Sequence, residues 1–337
     1  MLYFGCDLHK KWTTFTVMDE RGSILSQQNI PNTPYAIEHY VNGFSGEKTA
    51  TVEATFSWFW FVDLMEDLTQ KTILAHPGKA KDILKGRAKT DKLDSKGLAE
   101  LTRVDLIPEV YIPPKEIRDV RELLRYRTGL VRCRTSLKNK THSILHKNGI
   151  LHSFSDLFSE KGKQWLGELP LRSCYQYILK TYIDLIQTFN TLVTEAEQEI
   201  YTKPLKRDEE IMLLSDLPGV GELFAFHIKY GIVSTERFYS DKHLVSYAGL
   251  APATKQSADV IRYGKLLPQS NHWLKWVLIE AAQHARRHYW FRPLYKRVLS
   301  RHGKNIAKIA VARKLARIIY FMLSRKQPFR GREQASS

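Results

Sequence analysis

Between residues 171 and 200, Ile178, Tyr182, Leu185, Phe189, Leu192 and Ala196 alternate spacings of four and three, the pattern of a coiled-coil seam. A helix this long cannot bury such a stripe against itself. It must meet a second long helix of the same chain or another subunit. Residues 115–148 offer that partner, with an imperfect apolar seam of Val120, Leu124, Val131, Leu137 and Ile144. The same stretch carries a dense series of cations, including Arg121, Arg125 and Arg132. "IPPKE" breaks the chain before this segment and "LKRDEE" ends the second helix. The chain therefore reads as three domains: 1–110, a long-helix coiled-coil arm over 111–205, and 206–337.

The first domain alternates strands and helices. "LYFGCDL" is a short run of strand formers, "WTTFTVMDERGSILSQQNI" reads as a hairpin about its "DERG" turn, and "EKTATVEATF" is a further strand. A helix over "FWFVDLMEDLTQ", a strand "KTILAHP" and helical residues 78–104 follow. This order predicts a mixed sheet flanked by helices, so the fold class is α/β plus α. The third domain reads as mostly helical, with a loop-rich stretch before a helix from about Asn271 and a basic helical tail. Its "LPGVG" turn is similar to a helix-hairpin-helix element, whose glycines, Gly219 and Gly221, let backbone N–H groups approach a phosphate, but an ordinary helix-helix turn has the same form.

The charge narrows the partners. The 337 residues carry a formal net charge of +17, which a polyanion explains most economically, nucleic acid ahead of an anionic membrane surface. No apolar run approaches the ~20 residues needed to span a bilayer, and the first residues lack the pattern of a signal peptide. Cys6, Cys133 and Cys174 are odd in number and far apart, so they read as reduced thiols of a cytoplasmic protein.

Against this basic background four acids stand out. Asp7 ends the first strand, Glu53 lies in the strand after the hairpin, and Asp91 and Asp94 are three apart at a helix start, hence on one face. Each has an ordinary reading: a strand-end turn, an edge residue, an N-cap with its first turn. Should the first and fourth strands lie side by side, the four would converge into an oxygen-lined site suited to Mg2+ (or Mn2+ in its place).

The order and surroundings of these acids, "GCDLHK", "TVEAT" and "AHPGKAKDILKGRAKTDKLDSKGLAEL", resemble the DEDD transposases of bacterial insertion sequences, the family numbered one-ten. That family has a first domain similar to the Holliday-junction nuclease RuvC. The resemblance runs over nearly the whole chain and implies an RNase H/RuvC-like sheet. On it, Asp7, Glu53, Asp91 and Asp94 match the four metal-binding acids, and Lys10 matches a lysine three residues after the first. His9 and His76 lie close in sequence to the proposed acids or their strand ends, where they are placed to line the site, but are not counted among the site residues.

A second group lies in "SYAGLAPATKQSADVIRYGKLLPQSNHWLKW". Read by itself, Ser257 with Arg262, Gly264 and Lys265 is a serine in a cationic loop, either inert or a nucleophile whose alkoxide and attacked phosphate are stabilised. The family's carboxy-terminal domain implies the second. Tyr247, Ala248, Gly249, Leu250 and Pro252 match its "YAGL-P" segment, Ser257 the proposed nucleophile, Arg262 and Gly264 an Arg-Gly pair, and Asn271 the helix start. Two positions depart: Ala258 stands where glycine usually follows the nucleophile, and the usual lysine is replaced near Pro268 or Gln269. Ser246 is the rival nucleophile.

The resemblance implies a DNA recombinase acting through a Ser257 phosphoserine with metal assistance. It also implies a structured guide (bridge) RNA that selects DNA by base pairing, and dimers pairing into a tetramer with a composite active site, in a bacterial cytoplasm at the nucleoid. Contact with nucleic acid is expected from Lys10, Arg121, Arg125, Arg132, Gly219, Gly221, Arg262, Lys265 and Asn271. Two other readings use the same residues: a metal-dependent nuclease in which Ser257 is idle, and a non-enzymatic nucleic-acid-binding protein. An invertase within the family is a variant of the first reading.

Overall fold

The computed structural model describes residues 1–84, 90–202, 208–257, 260–266 and 269–330; the side chains of 253–257, 260–263 and 265 lie outside the described set. The chain divides into two compact units, Met1–Ile112 and Pro113–Ser337.

In the first unit, strands β1 (Leu2–Leu8), β2 (Trp12–Met18), β3 (Ile24–Pro31), β4 (Lys48–Glu53), β5 (Lys71–Ala75) and β6 (Glu109–Val110) form one sheet in the order β3-β2-β1-β4-β5-β6. β1 pairs parallel with β4, and β4 with β5, while β2, β3 and β6 add antiparallel. Strand alternation sorts the residues of β1 and β4. Phe4, Cys6, Ala50 and Val52 are buried in one cluster with Ile37 and Val41 of α1 (Pro34–Asn42) and Phe61, Val62 and Met65 of α2 (Trp58–Leu68). Gly5, Thr51 and the terminal acids lie on the opposite face. There the short α3 (Pro77–Ile83) and α4 (Asp91–Arg103) contribute Ala80, Leu98 and Leu101 to a smaller cluster with Ile73, Ala75 and Ile107. Residues 78–104 are thus not one helix, and residues 85–89 of that stretch lie outside the described set.

The second unit begins with α5 (Lys115–Lys147), crosses α6 (Glu160–Glu168) and returns along α7 (Ser173–Thr202). The two long helices fold back on each other in antiparallel fashion. Near one end Arg127 donates from Nε (2.9 Å) and Nη2 (2.5 Å) to Glu197, and near the other Leu145 and Leu179 share a cluster. The buried row of α7 is Leu179, Ile186, Val193, Ala196 and Ile200, one position on from the expected row through Ile178, Leu185 and Leu192. Both rows are apolar, so periodicity alone gives a wide stripe without choosing its centre. Leu185 is left exposed.

The rest of the unit is helical apart from one hairpin. Helices α8 (Glu209–Ser215), α9 (Glu222–Ile232), α10 (Asp241–Tyr247), α11 (His272–Ala285) and α12 (Arg292–Arg325) surround a core that includes Leu214, Phe226, Tyr230, Leu278, Phe291 and Leu315. The stretch read as a loop is instead an antiparallel pair, β7 (Pro252–Ser257) and β8 (Val260–Leu266). Its alternating "ATKQS" and "VIRYGKL" support a ladder that the surrounding glycine and prolines disguise.

Candidate active site residues

Three contacts hold α4 over β1 and its two neighbours, β2 and β4. A Cβ at Gly5 would sit 2.0 Å from the Ser95 carbonyl oxygen and 2.5 Å from the Ala99 nitrogen, so only glycine lets the helix backbone lie directly on β1. Buried hydroxyls tie it on both sides: Thr102 donates to Thr51 at 2.7 Å, and Ser95 and Thr16 share a bond of 2.8 Å. Thr90 caps the helix by accepting from the Leu93 N–H. This brings the first turn of α4 to the C-terminal end of β1.

There Asp7, His9 and Asp91 each offer a ligand atom, and these atoms lie within 4.8 Å of one another. The His9 Nε2 is 3.1 Å from Asp7 Oδ2 and 3.2 Å from Asp91 Oδ2, so the imidazole occupies the place between two carboxylates that would otherwise repel. The turn carrying His9 is braced, since Asn32 Nδ2 donates to the His9 carbonyl and the His9 N–H to the Trp12 carbonyl. Burial pushes the Asp7 carboxyl above the ordinary range; the charge and hydrogen bond of His9 oppose this, and the charges of Asp91 and Asp94 reinforce it. Asp94 is therefore within electrostatic reach of Asp7, though outside the 4.8 Å group. Glu53 follows Val52, the residue paired with Cys6, so it ends the strand beside Asp7 on the α4 face; it too is outside that group. Lys10 is exposed in the β1–β2 turn.

The donor set fits a divalent cation. Two carboxylate oxygens suit a hard ion, and the imidazole nitrogen makes the site as acceptable to Mn2+ as to Mg2+. The two-residue spacing from Asp7 was the only sign of His9 in the sequence; its contact with Asp91 depends on the α4 crossing.

In the second unit Ser257 is the last residue of β7 and pairs with Val260 at the hairpin tip, and Arg262 pairs with Lys255. The side chains of Ser257, Arg262 and Lys265 lie outside the described set, as do residues Ala258 and Pro268. The feet of the hairpin are clamped. Arg313 of α12 donates from Nε (3.0 Å) and Nη2 (2.9 Å) to the Leu250 carbonyl. On the other side the Asn271 N–H donates to the Tyr247 carbonyl (2.8 Å) and its Nδ2 to the Tyr247 hydroxyl (3.1 Å). The Asn271 Oδ1 meanwhile accepts from the Leu274 N–H at 3.0 Å, capping α11. Asn271 is thus placed to hold the hairpin's base. Gly249, at φ +64°, lies so close to Ser270 that a Cβ would meet its Oγ at 2.3 Å. Ser246 lies within α10, where its carbonyl accepts from the Gly249 N–H.

The remaining candidates are employed inside the unit. Arg121 donates to the carbonyls of Tyr230 (2.7 Å) and Gly231 (3.2 Å) at the end of α9. Arg125 pairs with Glu122, and Arg132 lies over the rings of Trp273 (5.2 Å) and Trp276 (5.9 Å). Gly219, at φ +85°, abuts α11, where a Cβ would meet the Ala281 carbonyl oxygen at 2.5 Å; its glycine identity is explained by helix packing. Gly221 precedes α9 and faces open space.

Two family models match the chain: one of DEDD transposases, described as a transposase, over residues 4–148, and one described as the transposase IS116/IS110/IS902 family over residues 212–296. The first span contains the four acids and the second contains Ser257. A transposase for insertion sequence element IS1111A from Coxiella burnetii is 26% identical over 97% of this chain and 90% of its own length. A probable family 20 transposase from Pseudomonas aeruginosa is 24% identical over 83% of this chain and 85% of its own. A pilin gene-inverting protein from Moraxella bovis is 27% identical over 50% of this chain and 54% of its own.

Proposed function

The chain belongs to the DEDD transposases of the IS110 family, and from that premise we propose that it is a DNA recombinase that cuts and rejoins strands through a phosphoserine at Ser257. The Ser257 Oγ–phosphorus bond forms as the bond from phosphorus to the leaving sugar oxygen breaks. The proton lost by the serine hydroxyl is matched by the one that the leaving oxygen gains. A second strand's free hydroxyl then reverses these steps, so one ester replaces another and no outside energy source is needed.

The observation that carries this reading is the gathering of Asp7, His9 and Asp91 at the end of β1. Asp7 and Asp91 would hold Mg2+ or Mn2+, with Asp94 and Glu53 on the same face to complete the donor set, on an RNase H/RuvC-like sheet. A bound divalent ion would neutralise charge on the phosphate and on the oxygens entering and leaving it. Asp7 and Asp91 set where that charge can sit, and the braced β1–β2 turn fixes His9 beside them. Because the acids and Ser257 belong to different units, we extend the proposal to a composite site in which dimers associate as tetramers. A structured guide RNA would choose the DNA by base pairing, leaving the protein to read backbone and shape.

Incubating the protein with Mn2+, its copurified nucleic acid and matching DNA should trap a protein–DNA adduct that disappears in Ser257→Ala. Strand joining that survives Ser257→Ala would refute the serine mechanism. Cleavage without an adduct in either protein would favour a metal-dependent nuclease using the same acids. Inversion of a segment without movement of an element would match the activity named for the Moraxella relative.

A further inference from the structure

We propose that the bend in α12 at Gly303 is the surface on which the protein holds the sugar-phosphate backbone of duplex DNA, in place of the basic stripe of α5. The identity of the polyanion rests on the recombinase reading above; the location does not. Positions 281–330 contain fourteen Lys and Arg and no Asp or Glu, against a net charge of +17 for the whole chain. Like charges four apart on a helix oppose its formation, and Arg297 with Arg301, and Lys304 with Lys308, are such pairs.

Part of this charge is used internally. Arg286 donates to the Tyr295 hydroxyl (2.8 Å), Arg313 clasps the Leu250 carbonyl, and Arg317 pairs with Asp241. Lys296, Arg297, Arg301 and Lys304 remain exposed, and among the described residues none of them has a carboxylate within ion-pairing distance. They flank Gly303, whose φ of 82° and ψ of 173° interrupt the helix and whose missing Cβ would face open space. An unpaired, exposed set of cations on both sides of an open corner suits successive phosphates, which need charge without base-specific contacts.

The arm presents the opposite case. Arg121, Arg125, Arg127 and Arg134 are engaged by carbonyls, Glu122, Glu197 and Asn190 respectively, and Arg132 lies on two indole rings. Arg121, Arg127, Arg132 and Arg134 staple α5 to its neighbours; Arg125 pairs within the helix and lies 5.8 Å from the Trp273 ring. A membrane surface is also polyanionic, but the apolar face of α12, Ala307, Val311, Leu315 and Ile319, is spent on the core, and the exposed apolar side chains beside the bend, Leu299 and Ile306, fall short of the continuous stripe that enters lipid.

The test is anisotropy of the full-length protein on a duplex of about 30 base pairs across a salt series. Four proteins are compared: wild type, Arg297→Ala/Arg301→Ala/Lys304→Ala, Arg297→Lys/Arg301→Lys, and Arg132→Gln. The bend variant should lose roughly 2 to 3 from the magnitude of the log–log salt slope, about 0.9 for each phosphate contact removed, with its melting temperature retained. Arg297→Lys/Arg301→Lys should keep the slope, and Arg132→Gln should leave it unchanged while lowering the melting temperature. An unaltered slope in the bend variant, or a loss seen in Arg132→Gln instead, overturns the proposal. So does a bend variant that loses binding to phosphatidylglycerol vesicles but keeps its DNA slope. A reduced slope beside a wild type that forms no Ser257 adduct would sink the recombinase reading and leave the bend standing. A normal adduct beside an unchanged slope would do the reverse.

Discussion

His9 illustrates how much one side chain can decide. With the imidazole 3.1 Å and 3.2 Å from two carboxylates, His9→Ala removes the only nitrogen donor of the group, so Mn2+ affinity should fall further than Mg2+ affinity in parallel calorimetric titrations. Asp91→Asn should weaken both ions by at least about tenfold. Equal losses for both ions in His9→Ala would mean that the ring serves only to separate the acids. A second residue makes stability depend on pH. His227 is buried beside Trp273 and Trp276 of α11 and near Arg125, Arg127 and Thr128 of α5. Burial, then the charges of Arg127 and Arg125, lower its pKa from the ordinary 6.5 to about 4. Between those values the unfolded chain binds the extra proton, so stability is unaffected above about pH 6.5 and falls as pH drops toward 4, by up to about 3 kcal/mol. Thermal melts across that window should show the decline in wild type and a flatter profile in His227→Phe. At this scale the positions of the acids, at strand ends and a helix start, were legible in one dimension, while the gathering of Asp7 and Asp91 around His9 was not. Gly5 was not, because the helix that forbids its side chain begins more than eighty positions later.

Elements were legible where one period dominated. The β2–β3 hairpin and the strands β1, β4 and β5 follow directly from alternation and turn residues, and the start of α4 from Asp91 and Asp94, although its cap is Thr90 and both acids fill the first turn. Besides the division of residues 78–104 between α3 and α4, two elements differed for physical reasons. The stripe of α7 is wide enough for two registers, and tertiary partners such as Arg127 on Glu197 select one. The hairpin β7–β8 carries polar residues on a short ladder, so it lacks the apolar contrast that marks a strand. The contact between α4 and β1 sets the strongest element-scale prediction. Gly5→Val should destabilise the first unit by about 3 kcal/mol or more, because the clash is with helix backbone that cannot rotate away. The same variant should lose Mn2+ binding at temperatures where it is still folded, as α4 is pushed off β1 and carries Asp91 with it; circular dichroism and a metal titration on one sample would check both.

Across the whole molecule, the apolar clusters divide with the units: the clusters around Phe4 and around Leu98 belong to Met1–Ile112, and those of the arm and helical body to Pro113–Ser337. Residues 1–112 expressed alone should therefore unfold in one cooperative transition and still bind Mn2+; a fragment that stays molten would show that its core depends on the rest of the chain. Among the described residues no helix is long and apolar enough to cross a membrane. The double clasp at the hairpin's base, Arg313 on Leu250 and Asn271 on Tyr247, has a consequence for redesign. With both feet moored to the helical body, residue pairs spliced in two at a time near the tip, so that the serine keeps its face, should leave the melting temperature nearly untouched, while each such step moves the serine outward by about 7 Å. The ladder would then serve as an adjustable ruler, with chemistry rising or dying according to length alone.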